Sequence, residues 1–384
     1  MQLSVIILNY NVAHFLEVCL KSVQKATQSI DAEIIVVDNA SSDGSKQLMQ
    51  NHFKDITYLY QTDNLGFPKG NNIGVEIAKG EFICILNPDT IVAEDTFTKL
   101  LYDYKKLSNP GILGCKLIDG SGNFLPESKR GTPTPWVAFT KVLSLYKIFP
   151  NSKKFNQYYA LHLPKNQIGA VDILVGAFML MQKKHYTMVG GFDEGCFMYA
   201  DDIDLSYLML KNQLQNYYVP STTAIHFKGE STLKDGKYMN RFKEAMQFFY
   251  QKHFKKSWWF NVLMNVGIAV FAFKKKTEIY QNNFEIDQYI LVSQDASIYQ
   301  NLSLKLNKPI DWVANLEDVI TLNDKRKNIE ILVDASIISF KNYINFIETF
   351  SNQNLTFKIK AVGSDFFIGS NDKNDRGEIL PINP

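Results

Sequence analysis

The chain has 384 residues, 41 Lys and Arg against 39 Asp and Glu, a formal charge of +2, and a hydrophobic fraction of 46% rich in Phe and Tyr. At about 150 residues per domain this length predicts two domains with a sizeable core, and the near balance of charge excludes a broad nucleic-acid surface. Four scattered cysteines, Cys19, Cys84, Cys115 and Cys196, show no metal-type spacing and three of them lie in apolar runs, so they are expected to be reduced core residues of a cytosolic protein.

The opening "MQLSVIILNYN" lacks a basic leader region and a cleavage site and enters a strand at once. No signal peptide is expected, and the catalytic part should face the cytoplasm. Apolar β-branched runs then alternate with helical patterns: "LSVIIL", "HFLEVCLKSVQKA", "EIIVVD", "DGSKQLMQNHF", "ITYLY", "NNIGVEIAKG" and "FICIL". This alternation predicts an α/β fold of parallel strands with crossover helices. After Leu117 the stretch "DGSGNFLPESKRGTPTPW" is rich in Gly, Pro and Ser and reads as a long loop, the kind used for lids and binding segments.

Regularity returns at "AVDILVGAFMLMQKKHYTMVGGFDE", read as a strand, a short helix and a glycine turn. "YADDIDLSYLMLKNQ" predicts a helix with an acidic start, "NYYVPSTTAIHF" a strand, and residues 240–255 a helix. Residues 258–273, "WWFNVLMNVGIAVFAF", are uncharged and flanked by five lysines. They are too short for a full span, and the expectation is a helix lying in the cytoplasmic face of the membrane, with a buried interdomain helix as the alternative. From Gln288 a second α/β pattern runs through "QYILVS", "IDWVA", "IEILVD", an amphipathic helix ending near Phe350, and "TFKIKAVG". It has no glycine phosphate loop and predicts a small accessory domain. The division expected is 1–256 catalytic, 257–276 linker or membrane-associating helix, and 277–384 accessory.

Chemistry-bearing residues gather at strand ends, where open α/β sheets bind ligands. Asp38 closes "VVDNASSDGS" and Asp89 follows "ICILN". Asp38, Asn39 and Asp43 also suit a turn and helix cap, so that reading stands beside the functional one. "NLGFPKGNN" offers glycines for close backbone approach and amides that can read a base or a pyrophosphate. Asp201, Asp202 and Asp204 crowd one helix start, more carboxylates than capping needs, and His226 ends its strand, where an imidazole could complete a metal site.

Taken in order, "SVIILNYN", "VVDNASSDGS", "NLGFPKGNN", "LNPDT", "GGFDEGCFMYADDIDL" and "HFKGES" resemble the inverting family 2 glycosyltransferases of GT-A fold, nearest the bacterial rhamnosyltransferase-like branch, over about residues 1–255. The resemblance implies a mainly parallel sheet flanked by helices. It also implies that Tyr10, Asn11 and Asp38, helped by Asn64, Gly66, Asn71 and Asn87, bind the nucleotide sugar. Asp89 stands at the last Asp of the family's metal motif, with Asn87 in place of the first, and His226 matches a His that joins the metal in some relatives. Asp202 matches the general base, and Asp201 replaces the usual Glu before it. The family's Arg on the following helix is replaced near Leu208, and the loop 118–136 matches no family motif.

The implied reaction is metal-dependent transfer of a hexose, rhamnose or another, from a nucleotide diphosphosugar to a glycan or lipid-linked hydroxyl in bacterial cell-surface polysaccharide assembly. Mg²⁺ or Mn²⁺ would offset charge on the leaving diphosphate while the base takes the acceptor proton. One base without a positioned nucleophile implies a single displacement with inversion. The partners implied are the donor, the acceptor and the inner-membrane surface, with no nucleic acid. A nucleotidyltransferase and a non-catalytic nucleotide-binding scaffold are the alternatives. The first expects a Gly-rich, Arg-containing loop after strand one, where this chain has "NYNVAHF", and the second is opposed by the three carboxylates Asp38, Asp89 and Asp202.

Overall fold

A computed structural model describes residues 1–383 apart from 144, 150, 151, 153, 197–198, 228–235, 255–284, 323, 325, 352 and 372–376. The proposed membrane segment 258–273 therefore lies outside the described residues. The first half begins β1 (Leu3–Asn9), α1 (Ala13–Thr27), β2 (Ala32–Asp38), α2 (Ser45–His52), β3 (Thr57–Tyr60), α3 (Gly66–Ile77) and β4 (Phe82–Leu86). These strands are parallel, in register Ile7 to Leu86 on one side of β1 and Asn9 to Asp38 on the other. The alternation of apolar strand and helix produces this part directly.

Helix α3 lies tight on the sheet because Gly70 and Gly74, four residues apart, face it: a Cβ at either would fall 2.3 Å from Leu8 Cδ1 or 2.6 Å from Ile6 Cγ2. The sheet then continues through β5 (Thr90–Val92), α4 (Thr96–Tyr104), β6 (Pro110–Ile118), α5 (Pro135–Val142), α6 (Leu145–Ile148), β7 (Gly169–Val171), β8 (Phe178–Gln182), α7 (Lys183–Met188), α8 (Asp201–Lys211), β9 (Gln215–His226) and α9 (Gly236–His253). Its order is β3-β2-β1-β4-β8-β6-β9-β5, with β7 pairing on β9. Antiparallel pairing enters at β8 and recurs at β5 and β7. Pro220 is tolerated inside β9 because the ladder to β6 slips between Cys115 and Lys116, leaving a bulge where its missing N–H is not needed.

Two expectations change. The strand read from Ala170 onward is two strands, because Asp172 turns aside to accept from the Thr132 N–H (2.8 Å) and hydroxyl (2.9 Å). The stretch after Leu117 is no open lid: Ser128 and Lys129 are buried, and Arg130 and Ile173 exchange backbone hydrogen bonds of 2.9 Å.

The second sheet has the order β11-β10-β12-β13-β14-β15, from β10 (Gln288–Val292), β11 (Ile310–Val313), β12 (Ile329–Asp334), β13 (Leu355–Lys360), β14 (Phe366–Gly369) and β15 (Glu378–Pro381). The first four are parallel, as the pattern predicts, and the last two form an antiparallel edge that the sequence reading did not include. The two sheets share one apolar core: Phe15, Ile91, Ile225 and Phe227 from the first meet Tyr343, Ile344, Ile347 and Ile359 of the second. Helix Phe340–Thr349 lies at this seam. The Glu94 carboxylate accepts the N–H groups of Phe340 (2.8 Å) and Lys341 (2.9 Å), binding the helix start to the chain just beyond β5. All four cysteines are buried and free, as expected. No helix among the described residues is long and apolar enough to cross a membrane.

Candidate active site

The carboxyl ends of β1, β2 and β4 hold most of the expected residues. Asp38 is fully buried, and both its oxygens are engaged: Oδ1 accepts from the Ser41 N–H at 2.7 Å and Oδ2 from Asn9 Nδ2 at 2.7 Å. It organises the turn after β2. Asn11 joins that turn in a left-handed conformation, φ 55°, with its Oδ1 accepting from the Ser42 N–H at 2.8 Å. Tyr10 projects outward and is 40% exposed.

On the other side of the crevice, Asn64 Oδ1 accepts from the Gly66 N–H at 3.0 Å, and Asn39 Nδ2 donates to the Gly66 carbonyl at 3.1 Å. Gly66 has φ +82°, a conformation suited to glycine, and so opens α3 toward β2. Asn71 donates to the Phe67 carbonyl at 2.9 Å. The Oδ1 atoms of Asn9, Asn39 and Asn71 are buried without a hydrogen-bond partner. Buried polar atoms are normally satisfied, so such orphans mark a place where a ligand can supply the missing partner.

The pairing of β5 with β9 sets Thr90 opposite His226 and so brings Asp89 to the imidazole. His226 Nε2 lies 3.4 Å from Asp89 Oδ1 and 3.4 Å from Asn87 Nδ2. Asp89 is 2% exposed, and its Oδ1 and His226 Nδ1 are both without a hydrogen-bond partner. A buried carboxylate oxygen beside an imidazole suits a divalent cation whose remaining ligands come from a diphosphate and water. The residues present therefore fit the metal expected, although they do not by themselves make a complete ligand set.

The acidic start of α8 separates into three different environments. Asp204 Oδ1 is 2.5 Å from His253 Nε2 and its Oδ2 2.9 Å from Lys252 Nζ, which ties α8 to α9. Asp202 Oδ2 accepts from Arg130 Nη2 at 2.5 Å and from the Gly176 N–H at 3.1 Å. Asp201 has its carboxyl pushed up to about 7, first by burial and then by the neighbouring Asp202 charge. None of the three caps the helix with its side chain, so the capping explanation does not account for them.

Arg130 is the residue that sequence reasoning missed. It stands in the loop that matched no family motif, and supplies a guanidinium to Asp202 where the expected helix position carries the half-buried Leu208. A signal was present: the chain has only four arginines, and Arg is favoured over Lys where a buried carboxylate needs a planar, multiple donor.

Residues 176–177 join the two halves of the site. The Ala177 carbonyl accepts from the Asn87 N–H at 3.0 Å while the adjacent Gly176 N–H holds Asp202. A Cβ at Gly176 would touch Asp202 Cβ at 3.4 Å and Phe67 Cζ at 3.5 Å, which places the start of α3 beside the same point. The metal-suited pair, the acidic pair and the Gly66 turn thus converge. A separate cavity lined by Glu81, Gln182, Lys183 and Met188 lies at the opposite end of β4 and takes no part.

A crevice of this kind, at the carboxyl ends of strands in a mixed α/β sheet, fits the GT-A fold. Residues 4–167, less than half of the chain, match the family model described as glycosyl transferase family 2. That span contains Tyr10 through Asp89 and Arg130, with Asp202 and His226 beyond it. The chain is 26% identical over 246 residues to the N-acetylglucosaminyl-diphospho-decaprenol L-rhamnosyltransferase of Mycobacterium tuberculosis, covering 61% of this chain and 78% of that protein. It is 29% identical over 221 residues to the rhamnosyltransferase WbbL of Escherichia coli K12, covering 53% and 78%. A solved mannosyltransferase of Pyrobaculum calidifontis in complex with GDP-Man and Mn²⁺ aligns over 73% of this chain and 76% of its own, with 17% identity and a TM-score of 0.48.

Proposed function

We propose that the chain transfers a hexose, rhamnose or a related sugar, from a nucleotide diphosphosugar to a glycan or lipid-linked acceptor hydroxyl with inversion, in bacterial cell-surface polysaccharide assembly. The observation that carries this reading is that residues 176–177 hold both the Asn87 N–H, at the strand end that leads to Asp89 beside His226, and the Asp202 carboxylate. In this reading residues 1–256 are the catalytic unit, residues 277–384 brace it, and the enzyme works at the cytoplasmic face of the inner membrane.

Asn64, Gly66 and Asn71 line the turn beside which the nucleotide lies, with Tyr10 and Asn11 at its rim and Asp38 holding the loop that shapes it. Asp89 and His226 hold Mg²⁺ or Mn²⁺, with Asn87 beside them. When bound, the cation supplies positive charge to the departing diphosphate. Asp202 accepts the proton of the acceptor hydroxyl as the new glycosidic bond forms, and the donor's bond to phosphate breaks on the opposite face. Arg130 and the Gly176 N–H both bind Oδ2 of Asp202, which fixes the carboxylate and leaves Oδ1 to take the proton. Asp201, raised by burial and by that charge, keeps a second full carboxylate out of the site near neutral pH.

The test is release of nucleotide from UDP, dTDP and GDP sugars, with an undecaprenyl-linked or soluble glycan acceptor, in the presence and absence of Mn²⁺. Acceptor-dependent release of one nucleotide that is lost on chelation is expected. Absence of release with the whole panel, together with tight nucleotide binding, would instead favour a scaffold.

A further inference from the structure

Between Glu127 and Asp172 the chain carries seven Lys or Arg and not one Asp or Glu, although its overall charge is only +2. Two of these bases are spent inward: Lys129 Nζ donates to the Ala160 carbonyl at 2.8 Å, and Arg130 holds Asp202. Lys141 rests its ammonium on the Tyr158 ring, 3.4 Å from the centroid. Lys147, Lys154 and Lys165 are exposed.

The same lobe exposes large apolar groups: Trp136 at 47%, Leu143 at 40%, Ile148 at 64% and Phe149 at 48%. Single exposed apolar residues are ordinary, but two of these are joined. Trp136 and Phe149 both contact the Phe155 ring, at 5.8 Å and 5.1 Å between centroids, and the Trp136 Nε1–H donates to the Lys154 carbonyl at 3.0 Å. An exposed cluster of Trp, Phe, Ile and Leu edged by lysine and free of acidic residues is the composition that settles into an anionic lipid interface. The complete exclusion of Asp and Glu fits a continuous sheet of phosphate headgroups, and the exposed apolar groups among the lysines fit the acyl boundary beneath it.

We infer that this lobe, from Trp136 to Lys165, is a docking surface for an anionic lipid bilayer. It is rooted beside the proposed base: the Gly131 N–H donates to the carbonyls of Gln157 (3.1 Å) and Tyr158 (3.2 Å), and the preceding residue is Arg130. A bilayer bound there brings a lipid-linked hydroxyl to the Asp202 side of the crevice. This deepens the transferase reading and rests on it for the identity of the acceptor, but the lipid contact is measurable without any reaction.

The experiment is flotation of the full chain with vesicles of phosphatidylcholine alone and of phosphatidylcholine mixed with phosphatidylglycerol. It compares wild type with Lys147→Glu/Lys154→Glu and with Ile148→Ser/Phe149→Ser. Wild type is expected to float with the anionic vesicles only and to be released by high salt, and each double variant to partition about tenfold or more weakly. All three are expected to retain donor affinity by calorimetry and the same melting temperature. Equal flotation of wild type with both lipids, or wild-type flotation of both double variants, overturns the proposal. So does a wild-type dimer in sedimentation that the double variants dissolve, because the patch is then covered by a second copy. Failure of wild type to bind any sugar nucleotide would count against the transferase reading and leave the vesicle result standing by itself.

Discussion

Asp202 receives two donors on one oxygen, and a change there acts on chemistry and packing together. Asp202→Asn is expected to lower transfer by about 10² to 10⁴ while donor affinity by calorimetry stays unchanged. It also removes the charge facing a buried guanidinium, so its melting temperature should fall. Asp89→Ala is expected to weaken donor binding and to remove its sensitivity to a chelator; donor binding that keeps that sensitivity would place the cation elsewhere. Asp201 gives a pH signature. Its folded value near 7 exceeds the ordinary carboxylate range, so the folded state holds this proton more tightly than the unfolded chain. Its stabilising effect is complete below about pH 4 and is lost as pH rises through about 7. Melting temperature measured from pH 5 to 8 should therefore decline less in Asp201→Asn than in wild type. Asp38, Asp89 and Asp202 were legible because a carboxylate at a strand end or helix start stands out against apolar neighbours. Arg130 was marked only by the rarity of arginine, because its partner is 72 positions away and nothing else in "ESKRGTP" shows it as buried.

The elements divide along the same line. Strands β1, β2 and β4 were readable from their apolar runs, since a parallel strand buried on both faces leaves an uninterrupted signal, and the edge strand β3 from its β-forming Thr and Tyr. The splitting of residues 169–182 into β7 and β8 depends on Asp172 finding Thr132, a tertiary contact with no periodic trace. The edge strands β14 and β15 are four residues each, too short for a pattern to declare them. Among the elements, the turn after β6 carries the sharpest constraint. Gly122 has φ +81°, and a Cβ on it would fall 2.0 Å from the Ile347 carbonyl oxygen in helix Phe340–Thr349. Gly122→Ala thus meets an unfavourable conformation and a backbone atom at once. It should loosen the seam between the sheets, with faster amide exchange in that helix. Glu94→Gln removes the charge that receives two N–H groups of the helix start and should cost about 1 kcal/mol in denaturant unfolding.

In the whole molecule the second sheet is structural cover as much as an appendage. Phe15, Ile91, Ile225 and Phe227 are each at most 4% exposed and belong to the core cluster that the second sheet helps to build. At about 1.5–3 kcal/mol for a fully buried side chain, four of them match the entire net stability of a typical domain, about 5–15 kcal/mol. A chain cut at residue 256 is therefore expected to aggregate, and the intact chain to unfold in one calorimetric transition. Two separable transitions, or a soluble fragment with native melting behaviour, would show the sheets to be independent.

The same seam has a consequence for synthesis. Lys21, in α1, donates to the Val362 carbonyl, 341 residues further along the chain, at 2.6 Å. At about 5–20 residues per second, the stretch after residue 256 takes on the order of ten seconds to translate. Throughout that interval the nascent first sheet presents Phe15, Ile91 and Phe227 uncovered, beside a metal-suited pair already paired through β5 and β9. This apolar surface is thus covered only once the second sheet has been made, and holding chaperones have that window in which to act on it.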